Sequence, residues 1–456
     1  MRFVFTIIIL MLFPATVYAS MPLTATSAVL IDQNEGTVLF AQNEHARMYP
    51  AGLTKMLTAL VALEYLDPEQ VIVVGSEINA IPRGALMAGH QVGEHITVHN
   101  LLRGLMIRNG NDSGAVLALQ TAQAERRREG IPYPDAERVF AIMMNNFARE
   151  LGARNTYFVN PNGLHNDRHV STAYDLALIA RAFMENPLLR EIAGETEFEG
   201  NSLGDLYIEG AHTIDHHWVD TNELMTGGMF HYHYATGIRS GTTTQASDCL
   251  AASAERRGVR LIAVVLESED PGRWQDARML FDYGFSNYTY HTILEPGIHK
   301  GTAFISNAML GEPYIMDVYS AEGFTLLLNP EQVSRIEWEL IFDEEFVDLE
   351  AEPGGDYIGV TSLVAPIEEG EPIGRVVYRL DGRVIFETEV LAAATAYERT
   401  LDTDMDFYLA MLRENIFSMR ALPLWLGGAG VLIGIVGVTL AISERRRSNR
   451  SWYGGK

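Results

Sequence analysis

Strand patterns at both ends of a long helical stretch constrain the fold of this chain more than any other feature. The first is SAVLIDQNEGTVLFAQN (residues 27–43), in which two apolar runs flank a turn that contains Gly36. The second is CLAASAERRGVRLIAVVLES (residues 249–268), in which the turn ends at Gly258. Both patterns are typical of β-hairpins, because short apolar runs on either side of a glycine-containing turn favour paired antiparallel strands.

Helical periodicity fills the interval between these two patterns. Apolar residues recur at spacings of three and four from Leu57 onward, and similar periodicity covers residues 101–120 and 136–151, as amphipathic helices require. Thr172 and Asp175 have the spacing of a capping box in front of the apolar run LALIARAFM, which indicates another helix start. Strands at both ends with helices between them predict one α+β domain over residues 20–288, whose terminal strands share a sheet.

A small all-β domain is predicted over residues 289–398. Short alternating runs bounded by Gly and Pro replace the helical periodicity there, and Asp381-Gly382 is a strong hairpin signal. Residues 399–420 then predict an amphipathic stalk helix, and a position flat on a bilayer surface is the alternative. Its apolar face contains six residues: Met405, Tyr408, Leu409, Leu412, Ile416 and Met419.

The two ends of the chain carry targeting signals. Residues 1–19 combine Arg2, a short apolar run and a small-residue cleavage pattern, which is typical of a secretory signal peptide. Residues 421–443 contain no charged side chain and are long enough to span a bilayer. The basic tail at 444–456 is expected in the cytoplasm, because basic residues stay on that side. We therefore expect a single-pass protein of the cell membrane, with its ectodomain on the outer (periplasmic or extracellular) side.

Charge and cysteine content narrow the possible partners and chemistry. The formal net charge of −25 argues against nucleic acid as a partner. A single cysteine, Cys249, excludes an internal disulfide framework. Cys249 lies in an apolar strand pattern, so a buried structural thiol is the expected interpretation, rather than a nucleophile.

Three short motifs follow one another in the predicted α+β domain: Gly52-Leu53-Thr54-Lys55, Asn109-Gly110-Asn111 and Arg239-Ser240-Gly241. Their order matches the S-x-x-K, S-x-N and K-T-G motifs of penicillin-interacting serine enzymes. Surrounding stretches such as PAGLTKMLTALVALE and LLRGLMIRNGNDSGAVLA strengthen the match. Over residues 25–398 the chain resembles the serine-type D-alanyl-D-alanine carboxypeptidases, the low-molecular-mass penicillin-binding proteins of peptidase family S11. The resemblance implies a β-lactamase-like transpeptidase domain followed by a β-rich domain.

The resemblance also implies a role for each motif position. Position 52 corresponds to the serine nucleophile, Lys55 to its general base and position 109 to a second, proton-relaying serine. Substrate binding falls to the remaining four positions: Asn111, Arg239, Ser240 and Gly241.

This chain departs from that pattern at three positions. Gly52 has no atom to acylate, Asn109 cannot relay a proton as a hydroxyl does, and Arg239 replaces a lysine. Groups that would bind a ligand are kept, whereas groups that transfer protons or form bonds are mostly lost.

The departures predict a pseudoenzyme at the cell wall. We expect it to bind peptidoglycan stem peptides ending in D-Ala-D-Ala, or another cell-wall enzyme, and to require no cofactor and no metal. The alternative is an active D-alanyl-D-alanine carboxypeptidase that trims peptidoglycan pentapeptides through a relocated nucleophile.

A histidine cluster leaves one further alternative open. Five of the thirteen histidines lie close together in sequence, and His231 and His233 would share one face of an extended segment, as a metal-binding pair can. A polar loop beside the cleft is the simpler interpretation. The NPNGLH stretch at residues 160–165 is interpreted as a turn before the next helix.

Overall fold

The computed structural model describes residues 21–126, 132–311, 314–348 and 362–417, together with 439, 440 and 442. The predicted signal peptide and basic tail lie outside the described residues, as does nearly all of the predicted span at 421–443. The described residues divide into two compact units, the first extending to Tyr290 and including Leu327–Asn329, and the second comprising His291–Leu326 and the described residues from Pro330 onward.

A five-stranded antiparallel sheet forms the centre of the first unit. Its spatial order is β2-β1-β9-β8-β7, and Ser27 of β1 lies opposite Leu266 of β9. The first strand therefore pairs with a strand more than 200 residues later, which confirms the predicted shared sheet. The strands of this unit are β1 (Ser27–Asp32), β2 (Val38–Gln42), β3 (Val71–Val73), β4 (His95–Thr97), β5 (Glu197–Asn201), β6 (Asp215–Val219), β7 (Ala235–Thr243), β8 (Ser247–Arg256) and β9 (Val259–Ser268). Outside the main sheet, β3 pairs with β4 and β5 pairs with β6.

Helices cover both faces of this sheet. The helices are α1 (Thr54–Leu63), α2 (Val98–Met106), α3 (Asn111–Arg126), α4 (Tyr133–Glu150), α5 (Ala173–Glu185), α6 (Pro187–Gly194) and α7 (Gly272–Asn287). The first nine residues of α1 are all buried, as expected of a helix at the centre of a core. The Thr172 side chain accepts a hydrogen bond from the Asp175 backbone N–H, which confirms the predicted start of α5.

The second unit is rich in strands. Its main sheet has six strands in the order β14-β16-β17-β12-β11-β15, and β10 pairs with β13. Asp381 and Gly382 both have positive φ between β16 and β17, so the predicted hairpin is confirmed. The remaining elements are β10 (Thr289–Leu294), β11 (His299–Ile305), β12 (Ile315–Ser320), β13 (Phe324–Leu328), α8 (Pro330–Ser334), β14 (Ile336–Phe342), β15 (Ser362–Leu363), β16 (Pro372–Leu380), β17 (Arg383–Ala392) and α9 (Leu401–Phe417).

Helix α9 lies within the predicted stalk helix and exposes large apolar side chains, among them Met405, Tyr408 and Leu409. Among the helices that the structure describes, none has the length and apolar character needed to cross a membrane.

Candidate functional site

The first motif lies in the turn that leads into α1. Ala51–Leu53 form one turn of 3₁₀-helix, and α1 begins at Thr54. Ala51 has a φ of +47°, an uncommon backbone conformation for a residue with a Cβ. Gly52 is buried and offers no side-chain atom at the position where the motif places a nucleophile.

Lys55 lies on the first turn of α1 and is 2% exposed. Its Nζ donates hydrogen bonds to Asn111 Oδ1 at 2.8 Å and to the Asn162 carbonyl at 2.9 Å. Burial holds the pKa of Lys55 well below its ordinary value, and the positive charge of Arg239 adds a smaller effect in the same direction. The amino group is therefore tuned toward the neutral form, the form in which a lysine can accept a proton.

The second motif joins α2 to α3. Asn109 has a φ of +61°, a conformation that asparagine tolerates better than most residues, and its Oδ1 is buried without a hydrogen-bond partner. Asn111 begins α3 and donates through Nδ2 to the Leu86 carbonyl at 2.9 Å. The buried Asp112 carboxylate accepts the backbone N–H groups of residues 88–90. The second motif thus also anchors the loop around residues 86–90.

The third motif lies on β7, in direct contact with the first. A Cβ built on Gly52 would lie 3.2 Å from Asn109 Oδ1, 3.2 Å from the Ser240 carbonyl oxygen and 3.3 Å from Gly241 Cα. A Cβ built on Gly241 would overlap the Gly52 backbone nitrogen. The backbones of the 3₁₀ turn and β7 therefore pack directly against each other.

Arg239 is directed into the protein. Its side chain is 1% exposed, Nη1 donates to the Met106 carbonyl and Nε donates to the Ser240 carbonyl at 2.9 Å. Only Nη2 lacks a hydrogen-bond partner. Burial lowers the pKa of Arg239 to about 10, against the opposing influence of Asp220. In this arrangement a ligand carboxylate has no direct access to the guanidinium fork.

The predicted site residues are therefore brought together, but not as an open cleft. Lys55 and Asn111 are hydrogen-bonded, Gly52 lies against Asn109, Ser240 and Gly241, and the charge of Arg239 acts on Lys55.

The NPNG segment forms part of this site in addition to making a turn. Asn160 Oδ1 accepts the backbone N–H groups of residues 162–164, as the predicted turn requires. The Asn162 carbonyl accepts from Lys55, and its Nδ2 donates to the Asn111 carbonyl at 3.1 Å. A Cβ at Gly163, where φ is +73°, would overlap the Ala51 carbonyl oxygen. Sequence reasoning missed this role, although two asparagines in a glycine-containing turn were a visible signal.

Thr54 carries the hydroxyl nearest in sequence to position 52, and both of its hydrogen bonds are to other parts of the protein. It donates to the Ala51 carbonyl at 2.9 Å and lies 2.9 Å from His169 Nε2. His169 Nδ1 accepts the Val159 N–H, and burial lowers the pKa of His169 to about 3. The neutral ring therefore carries its proton on Nε2 and donates to Thr54, so it cannot act as a base toward that hydroxyl.

Cys249 is likewise unsuited to nucleophilic chemistry. Its side chain is fully buried, and burial raises the pKa of the thiol to about 12. Nucleophilic attack requires the thiolate, so the placement agrees with the predicted structural thiol.

The histidine cluster separates in space. His231 and His233 are both exposed. His216 is instead buried beside two residues far away in sequence, His90 and Glu94, and its Nε2 lies 2.7 Å from Glu94 Oε1. In the part of the chain that the structure describes, these three side chains are the one group of three or more potential ligand residues that lie close enough to share a metal ion.

Comparison with known proteins gives a consistent result. A family model described as D-alanyl-D-alanine carboxypeptidase, peptidase S11, matches residues 15–270. The D-alanyl-D-alanine carboxypeptidase DacF of Bacillus subtilis is 29% identical over 375 residues, which cover 81% of this chain and 85% of that protein.

Solved structures show the same similarity in fold. Penicillin-binding protein 5 from Haemophilus influenzae aligns with a TM-score of 0.60 and 23% identity, over 84% of this chain and all of that one. The DD-transpeptidase of Streptomyces K15 aligns with a TM-score of 0.53 and 26% identity, over 59% of this chain and all of that one. The mixed α/β fold of penicillin-binding proteins is therefore present.

Proposed function

Because this chain belongs to the D-alanyl-D-alanine carboxypeptidase family of peptidase S11, we propose that it works at the cell wall as a member without acyl-transfer activity. It would bind a peptidoglycan stem peptide or, as the geometry favours, a partner enzyme of the wall. The relatives are named for cleavage of a D-alanyl-D-alanine terminus, and this chain keeps their fold around an altered site.

The missing side-chain oxygen at Gly52, which packs against β7, is the observation that carries this proposal. Acylation needs an oxygen within hydrogen-bond reach of a base, next to a space for the substrate carbonyl. Lys55 is present as a candidate base, but position 52 supplies no oxygen, and backbone atoms of β7 lie directly against it. Loss of the nucleophile alone lowers the rate of a serine hydrolase by about 10⁶-fold.

Burial of the site residues also favours a protein partner over a stem peptide. A stem peptide whose carboxylate pairs with Arg239 would have to draw the buried guanidinium away from the Met106 carbonyl. A protein partner can dock on the outer surface without opening the site. The acidic character of the chain, with 59 Asp and Glu against 34 Lys and Arg, favours a partner with a basic surface.

Labelling with a fluorescent penicillin tests the loss of chemistry, because a covalent label requires an acylated side chain. We expect no label on the wild-type chain and no D-alanine released from a pentapeptide, while the DacF protein of B. subtilis, run in parallel, serves as the active control. Robust wild-type hydrolysis that is abolished by Ser240→Ala or Thr54→Val would establish the alternative, an active carboxypeptidase with a relocated nucleophile.

We further propose that residues 421–443 anchor the protein in the membrane with the tail inside. The support is the uncharged segment followed by Arg445, Arg446 and Arg447. Protease added from outside should remove the ectodomain and spare a C-terminal tag. Loss of the tag under the same conditions would reverse the orientation.

A further inference from the structure

Three buried ligand-type side chains meet on one side of the second motif. His90 and Glu94 lie on the loop before β4, and His216 lies on β6. His90 and His216 are each 5% exposed and Glu94 is fully buried. One ligand atom from each residue can be chosen so that all three atoms lie within 4.8 Å of one another. Buried charged groups of this kind are rare unless they are paired or bind a metal.

The protonation of His90 decides whether this cluster is a hydrogen-bonded network or a set of metal ligands. Its Nε2 lies 2.8 Å from the Ser113 hydroxyl on α3. Its Nδ1 is buried and has no hydrogen-bond partner, although it lies 3.4 Å from Glu94 Oε2. In one tautomer the proton lies on Nδ1 and faces Glu94 Oε2, while the Ser113 hydroxyl donates to Nε2. In the other tautomer a lone pair of Nδ1 faces the carboxylate, and a bound cation makes that arrangement favourable.

We propose that His90 Nδ1, His216 Nε2 and the Glu94 carboxylate form a binding site for a divalent transition-metal ion, with Zn²⁺ as the best match. Two imidazole nitrogens and one carboxylate are a ligand set that zinc uses, with a fourth position left for water. Zinc bonds of about 2.0–2.1 Å place neighbouring tetrahedral ligands about 3.4 Å apart, which matches the separation of His90 Nδ1 and Glu94 Oε2. The 2.7 Å contact between His216 and Glu94 would widen as the metal replaces the shared proton.

The surroundings of the cluster suit a metal ligand sphere. Metal-bound histidines usually donate their second ring N–H to an oxygen. For His90, the Ser113 hydroxyl oxygen lies in position to accept from Nε2. Trp218 stacks on His216 with ring centroids 4.6 Å apart, and its indole N–H donates to the Ala88 carbonyl. The ion would therefore link β6 to the loop that Asp112 anchors beside the candidate site. This inference does not depend on the proposed function, and it differs from the sequence-based expectation of no metal.

Zinc stoichiometry of the purified full-length protein tests the site. After equilibration with ZnCl₂ and removal of free metal, we expect about one zinc per chain by inductively coupled plasma mass spectrometry. Zinc at about 100 times its Kd should raise the Tm by about 3–5 °C relative to protein in chelator. Glu94→Gln and His216→Gln should each abolish stoichiometric binding and most of the Tm shift. The double variant His231→Ala/His233→Ala removes two exposed histidines and should bind zinc as the wild type does.

A second measurement uses the wild type alone, in case a variant fails to fold. Co²⁺ added to metal-free protein should give the intense visible absorption of a tetrahedral complex, and zinc should displace it. The proposal is overturned if the wild type retains no zinc, if Co²⁺ shows only its octahedral spectrum, or if binding is lost in the His231/His233 double variant. In the first two cases the cluster is a hydrogen-bonded network.

Discussion

The exchange Gly52→Ser returns a hydroxyl to the nucleophile position and tests whether closure of the site, or only the missing oxygen, keeps it inactive. The new Cβ would meet Asn109 Oδ1, the Ser240 carbonyl oxygen and Gly241 Cα at 3.2–3.3 Å. These contacts are tighter than ordinary packing, and two of the three atoms belong to the backbone of β7. The strand must shift by a few tenths of an ångström to accommodate the side chain.

The stability change follows from two opposing effects. Overpacking of a well-packed site costs about 1–3 kcal/mol. Replacing glycine also reduces the freedom of the unfolded chain, which returns about 0.4–1 kcal/mol where the native φ suits any residue. Gly52 does not have positive φ, so this second effect applies. We expect a net loss of about 1–2 kcal/mol and only slight penicillin labelling, because Lys55 regains a neighbouring hydroxyl in a site that remains closed.

Denaturant unfolding and fluorescent penicillin on a gel measure the two outcomes. Gly52→Ala is the matched control, since it adds the same Cβ without the hydroxyl and should lose similar stability with no label. The triple change Gly52→Ser, Asn109→Ser and Arg239→Lys should label much more strongly, because removing Asn109 Oδ1 relieves one tight contact and the catalytic groups act as a unit. Rapid, complete labelling of the single variant would refute the argument from closure.

Two further predictions concern the groups around position 52. In Lys55→Met the pH dependence of stability should change. The lysine has a pKa below its ordinary 10.5 in the fold, so between the two values the unfolded chain binds more protons. The stability of the wild type relative to the variant should therefore rise with pH in that window, by at most about 1.4 kcal/mol per unit; parallel stability curves would contradict the lowered pKa. Gly163→Ala should cost more than about 3 kcal/mol, because its Cβ would overlap the Ala51 carbonyl, whereas Gly258→Ala, with similar φ and open space around it, should cost only about 1 kcal/mol. Equal losses in these two variants, measured by circular dichroism during unfolding, would exclude the overlap as the cause.

Hairpins and helix caps could be predicted, because they depend on residues that are close together in the sequence. The apolar runs around Gly36 and Gly258 predict hairpins because strand pairing across a short turn depends on adjacent residues. The structure adds that β1 pairs with β9 in the same sheet. Thr172 caps α5 for an equally local reason, since its acceptor is three residues from the donor.

Features that depend on how distant side chains pack could not be predicted. Glu94 and His216 are separated by 122 positions, yet their side chains are 2.7 Å apart. The sequence pattern instead drew attention to His231 and His233, which are exposed. Likewise, nothing in the third motif reveals that Arg239 is directed toward the Met106 carbonyl, because that direction depends on where the end of α2 lies in the fold.

The survival of Lys55 beside a missing nucleophile has a structural explanation. Its Nζ satisfies Asn111 Oδ1 and the Asn162 carbonyl inside the protein, and each buried acceptor left without a partner costs about 1–3 kcal/mol. A chain that has lost its nucleophile would therefore still lose stability by losing this lysine, whether or not any proton is ever transferred. Asn109 Oδ1 has no such partner, so no comparable penalty attaches to changing it. The presence of Lys55 is accordingly no evidence for activity, and the Gly52→Ser and Lys55→Met variants separate its catalytic potential from its structural role.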